Sequence, residues 1–120
     1  MNKGRLLQAY GVLAGASLES LEVKDRIMII KLMRSVRAEA EELQDFINQV
    51  RAKNQEILSQ NSDLKRIGEV VKAINEESEK EIDAKDINII KKETFEKLIE
   101  SNPRWTPVAM LVVEDVFVAQ

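Results

Sequence analysis

Seven positions spaced by seven residues, Ile29, Val36, Leu43, Val50, Ile57, Leu64 and Val71, are all aliphatic, and the chain between them is densely charged. Seven residues are two helical turns, so this row describes helix laid against helix. Its first part has a companion: Ile29, Met33, Val36, Ala40, Leu43, Ile47 and Val50 alternate steps of four and three, lining one face of a long helix. The other faces carry Arg34, Arg37, Glu39, Glu41, Glu42, Asp45 and Arg51, a solvated surface. Arg37 and Glu41 attract at a spacing of four, and Glu41 and Asp45 repel at the same spacing, each by roughly 0.2–0.5 kcal/mol. The two cancel, which leaves the apolar face to hold the helix.

Half of that face then fails. Extending the row Met33–Ala40–Ile47 reaches Asn54, Asn61, Gly68 and Asn75, whereas Ile57, Leu64, Ile67, Val71 and Ile74 restore an apolar pattern in a shifted register. Such a slip marks a stutter in one helix or a turn between two. Ser59-Gln60-Asn61-Ser62-Asp63 favours the turn, because Asn, Ser and Asp supply turn chemistry and an N-cap for a helix from Leu64. The pattern predicts a coiled-coil-like helical hairpin, a long arm over 24–59 against a second arm over 63–80.

Shorter elements flank it. Leu6, Leu7, Tyr10 and Leu13 share one face of a helix over 4–14 that Gly15 ends, and Leu18 and Leu21 tuck a connector over 15–22 beneath its neighbours. The acidic run 76–86 prolongs the second arm and then becomes a loop. Ile87-Asn88-Ile89-Ile90 is β-branched and alternating, and reads as a short strand. Residues 91–100 return to helix with Phe95, Leu98 and Ile99 on one side, ended by Asn102-Pro103. Thr106-Pro107 is an N-cap followed by proline at the first helical position, so 108–118 reads as a final helix. Its five valines keep a strand as the alternative; adjacent Glu114 and Asp115 spoil strict alternation. The expectation is a mainly α fold in one domain over 1–120, with a C-terminal subregion over 86–120 that holds the short strand or small β element.

Composition narrows the function classes. A chain of 120 residues supports one core, and a 4% aromatic share suits a thin helical core lined by Leu, Ile and Val. Net charge is −3, so no overall field draws the chain to nucleic acid. The chain has no cysteine and no histidine, which removes thiolate nucleophiles, the commonest general base and the commonest zinc ligand. The start, with Leu6-Leu7 after Lys3 and Arg5, superficially suggests a signal peptide, but Gln8 and Tyr10 break the apolar run. No stretch approaches the roughly 20 apolar residues of a membrane span.

Carboxylates are the remaining catalytic candidates. Glu76, Glu77, Glu79, Glu81, Asp83 and Asp86 could face Mg²⁺ or Ca²⁺, but a calcium loop needs a central glycine, and none follows Gly68. They read as solvated surface. Gly4, Gly11, Gly15 and Gly68 are too scattered for a phosphate loop. No enzyme, no cofactor and no metal are therefore expected. Lys24, Arg26, Lys31, Arg34 and Arg37 give the long helix a basic start, and the candidate basic surface is Arg26, Lys31, Arg34 and Arg37. No aromatic interleaving accompanies it, which disfavours nucleic acid. Trp105 either closes the core between the last two segments or serves as a binding anchor. With the apolar tail it defines a candidate interface of Trp105, Val108, Leu111, Val112 and Phe117.

The order of features resembles a family of small helical proteins of tailed bacteriophages and prophages. The likeness runs through Leu6-Leu7-Gln8-Ala9-Tyr10, the lead-in Leu21-Glu22-Val23-Lys24, the polar turn, Ile87-Asn88-Ile89 and Thr106-Pro107. The chain lacks the Gly- and Asp-rich turn common between the family's long helices. The resemblance implies a minor virion or assembly protein in the bacterial host cytoplasm or the virion, with no catalytic residues. Its partners would be further copies of itself or other assembly proteins. The alternative is a regulatory or adaptor module that binds a protein or nucleic acid through the basic start of the long helix.

Overall fold

The structure is a computed structural model that describes residues 1–60, 63–83 and 86–120. Among the described residues there are six helices: α1 Lys3–Ala14, α2 Val23–Lys53, α3 Gln55–Gln60, α4 Leu64–Glu79, α5 Lys92–Ser101 and α6 Pro107–Phe117. The fold is mainly α, as the hydrophobic periodicity predicts. The turn residues Asn61 and Ser62 lie outside the described set, as do Ala84, Lys85 and the side chains of Ile57 and Gln60.

α2 is the spine. Its 31 residues reach about 46 Å at roughly 1.5 Å per residue, nearly the 51 Å long axis of the molecule. Its first half carries α1, which runs antiparallel: Leu13 near the end of α1 shares a groove with Ile29 and Met33, while Lys3 at its start feels the charges of Glu39 and Glu42. The second half carries α4, also antiparallel, with Val50 and Asn54 opposite Arg66 and Val70. The start of α1 and the end of α4 meet through an antiparallel bridge between Asn2 and Glu81 and a 3.0 Å bond from the Lys3 amide to the Lys80 carbonyl. Gly4 makes that approach easy: a Cβ at that position would stand 3.1 Å from the Cβ of Ser78 and 3.3 Å from its carbonyl oxygen, a tight contact that the neighbouring turn would have to relax.

Local chemistry explains the boundaries. Asn2 caps α1, accepting from the Arg5 amide at 2.8 Å; Asp63 caps α4 from Arg66 at 3.1 Å; Thr106 caps α6 from Ala109 at 3.1 Å, ahead of Pro107. Asn54 is where the long arm breaks. Its amide side chain donates to the Val50 carbonyl at 2.7 Å while its own carbonyl accepts from Leu58, so it closes α2 and opens α3.

The core gathers on the first half of α2. Leu6, Ala9 and Leu13 of α1, Ile29, Leu32 and Val36 of α2, Phe95 and Leu98 of α5, and Val112, Val113, Val116 and Phe117 of α6 form one buried cluster. Leu21 belongs to it and Leu18 packs against it, so the connector does tuck inward. Beyond residue 40 the packing thins: Ala40, Leu43 and Val70 are buried but lie outside that cluster. The molecule is thus a head with a narrower hairpin arm.

Three expectations change. Residues 87–90 are not a strand; Ile90 makes one parallel bridge to Val118, with the Ile90 amide donating to Phe117 and the Ala119 amide to Ile90. A strand needs a neighbour of its own length, and the neighbour here is the short extended end that follows α6. The 108–118 segment is the helix expected, with only Val118 extended, and that last valine makes the bridge. In the second arm, Leu64 and Val71 of the heptad row are exposed, and Val70 is the buried residue. The chain leaves the helix twice before α4, at Asn54 and between α3 and α4, so a period counted from Ile29 no longer points at the spine. Within α2 itself, Leu32 is buried where the seam names Met33, which is only half-buried.

Candidate interaction surfaces

Among the described residues, α2, α4 and α6 each show apolar side chains that their own chain does not cover; those of α4, Leu64 and Val71, are 76% and 49% exposed. On α2, Val23, Ile27 and Ile30 are 69%, 48% and 44% exposed. Their steps of four and three put them on one helical face, opposite the buried Ile29, Leu32 and Val36. Lys31 and Arg34 lie exposed beside them. The ion pairs of this half of α2 are Lys24–Glu22 at 3.6 Å and Arg37–Glu41 at 2.8 Å, so Lys31 and Arg34 stay unpaired among the described residues. A groove of about 290 Å³ runs alongside, between α1, the connector and α2, with Tyr10, Leu13, Ile29, Ile30 and Met33 in its walls and Arg34 and Arg37 at its edge.

The four basic residues expected to act together do not have one role. Arg26 is spent on the connector: its guanidinium donates to the Leu21 carbonyl at 3.0 Å and the Glu19 carbonyl at 2.9 Å. Arg37 is held by Glu41, whose hydrogen bond also keeps it more firmly charged. Lys31 and Arg34 remain available.

On α6, Val108 is 73% and Leu111 59% exposed, and Glu114 and Asp115 continue the same face. Arg5 of α1 reaches Asp115 at 3.1 Å at its margin. A groove of about 390 Å³ separates this helix from α1, lined by Gln8, Gly11, Val12 and Val108. The five residues of the expected interface therefore separate. Val112 and Phe117 point inward, at 3% and 0% exposure, as part of the core. Trp105 is half-buried and packs on that core, its amide bonded to the Asn102 carbonyl at 3.0 Å. Val108 and Leu111 alone face outward, because a helix of three turns that packs on α1 with one side must show the other.

Sequence reasoning passed over Val23, Ile27 and Ile30. The signal was there: they form a second apolar row on the long helix, out of phase with the first. It also read Glu77 as solvated surface. In fact its carboxylate is one-fifth exposed and accepts from Lys80 at 2.6 Å and from Lys3 at 2.9 Å. The hydrogen bond from Lys80, then that from Lys3, holds Glu77 below the usual carboxylate range, and Glu77 in turn raises Lys3.

Among the described residues, no three acidic, cysteine or histidine side chains are grouped to hold a metal ion, no helix is long and apolar enough to cross a membrane, and every buried side-chain nitrogen or oxygen has a hydrogen-bond partner. What these surfaces can do is bury apolar area and pair charge. No family model matches the chain, and no curated protein or solved structure matches it.

Proposed function

We propose that this chain is a non-enzymatic assembly protein that works by burying surface against neighbouring subunits. The supporting observation is the pair of outward apolar rows, Val23, Ile27 and Ile30 on α2 and Val108 and Leu111 on α6. These rows sit on regular helices beside exposed charge, and an apolar helix face at the surface of a small domain is what helix–helix docking uses. The thin arm adds a reason to associate, since a two-helix hairpin supplies little core for its length. The resemblance to small tailed-phage proteins supplies the context, a minor virion or assembly component.

Mass in solution tests this reading. Light scattering across a concentration series is expected to show a discrete oligomer at micromolar concentration. A monomer at every concentration overturns it.

The adaptor reading has its own observation, the unpaired Lys31 and Arg34 on the exposed face of α2. In that case the free protein is monomeric, and Lys31→Glu with Arg34→Glu abolishes capture of its partner while the melting temperature is unchanged. Arg26 is left out of that variant because it holds the connector.

A further inference from the structure

The outward faces of α2 and α6 differ in charge as well as position. On α2, Val23, Ile27 and Ile30 are flanked by Lys31 and Arg34; on α6, Val108 and Leu111 are flanked by Glu114 and Asp115. One face is apolar and basic; the other is apolar with the carboxylate of Glu114 at its end, Asp115 being held by Arg5 of α1. They lie on different helices, each beside its own groove against α1. We propose that the occupant of the α2 face is the α6 face of a second copy of this chain, in a head-to-tail contact. The inference rests on the assembly reading above and specifies its geometry.

Charge decides between the ways two copies could meet. A two-fold contact of α2 on α2 would bring two copies of the basic rim of Lys31 and Arg34 to one interface, and a contact of α6 on α6 would bring two copies of Glu114, Asp115 being paired with Arg5 of its own chain. Both juxtapose like charges around the apolar rows, and like charges across an interface oppose association. The mixed contact instead places the cations of one copy beside Glu114 of the next, with the aliphatic rows between them. The α6 face is the shorter and fits within the other: Val108 to Asp115 spans about 10 Å and Val23 to Arg34 about 16 Å at the helical rise. After one contact, one copy keeps a free α6 face and the other a free α2 face, so the contact propagates into a ring or an open chain rather than stopping at a dimer.

The test uses two full-length variants, each blocking one face. Lys31→Glu with Arg34→Glu blocks α2; Val108→Glu with Leu111→Glu blocks α6. All four positions are exposed, so circular dichroism and melting temperature should match the unmodified protein. A third variant, Glu114→Arg alone, serves if the α6 double variant fails to fold. By light scattering, each variant alone is expected to be monomeric, with its association weakened at least tenfold. Mixed in equal amounts they are expected to form one 1:1 complex, because each still carries the half that the other needs. If the unmodified protein assembles but either variant assembles equally well, or if the mixture stays monomeric, the head-to-tail inference is overturned while assembly stands. If the unmodified protein is monomeric, both are overturned.

Discussion

Asn102 shows how much one side chain can carry in a chain with a small core. It stands at the end of α5, where its amide nitrogen donates to the Leu98 carbonyl at 2.8 Å, an ordinary way for asparagine to close a helix. The same nitrogen donates to the Ser17 carbonyl at 2.9 Å, and the side-chain oxygen accepts from the Ser17 amide at 2.7 Å. One residue thereby ends α5 and fixes the connector between α1 and α2, helped by the Ser101 hydroxyl accepting from the Ser20 amide. Asn102→Ala removes three bonds and should lower unfolding free energy by about 2–3 kcal/mol at roughly 1 kcal/mol each. Asn102→Asp should be worse at neutral pH, since a carboxylate would face two carbonyl oxygens with no proton to offer. Urea unfolding of the three proteins checks the order; an Asp variant as stable as the parent would contradict it. The cap was legible in the sequence from Asn-Pro, but the link to Ser17 was not. It depends on two segments 85 residues apart, and no local pattern encodes that meeting.

At the scale of elements, the helices were readable because their signals are local. Periodicity marks α2, side-chain caps mark α4 and α6, and Gly15 marks the end of α1. What failed was inward and outward direction beyond the break at Asn54. A heptad row assumes one unbroken phase, and the chain leaves the helix twice between α2 and α4. The strand over 87–90 failed for a different reason: β-branched composition reports suitability for a sheet but cannot supply the second strand. The two valines of α4 give a direct test of the corrected phase. Val70 is 7% exposed and Val71 49% exposed. Val70→Ala should cost on the order of 1–2 kcal/mol through lost packing, and Val71→Ala should stay within about 0.5 kcal/mol. Equal losses, or the reverse order, would restore the heptad row. The outward rows on α2 and α6 were hidden for a related reason. A sequence shows which side chains are apolar, but only the packed structure shows which of them their own chain leaves uncovered.

For the whole molecule, the question is what fastens the arm to the head. The arm shares little of the buried cluster, so its end depends on the place where α4 returns to α1. There Gly4 lets the backbones approach, the Lys3 amide bonds to the Lys80 carbonyl, and Glu77 joins Lys80 and Lys3. Because Glu77 is held below its ordinary range, the unfolded chain takes up a proton before the folded one does. The contribution of this clasp is therefore complete above the ordinary carboxylate range of about pH 4.3 and is lost as pH falls through the lower folded value. Lys3 is shifted upward, so its share is complete below its ordinary value and is lost only as pH rises through the higher folded one. The difference in stability between the unmodified protein and Glu77→Gln should consequently be flat between about pH 6 and 9 and should shrink toward pH 3. Taking the difference isolates Glu77 from the other carboxylates, which titrate in both proteins. Urea denaturation at a series of pH values measures it, and amide exchange in the last turn of α4 should quicken in the variant at neutral pH. A gap that stays constant down to pH 3 would mean that the carboxylate charge contributes nothing. The arm would then be held by its apolar packing at Ala40, Leu43 and Val70 and by the backbone bonds around Asn2 and Glu81.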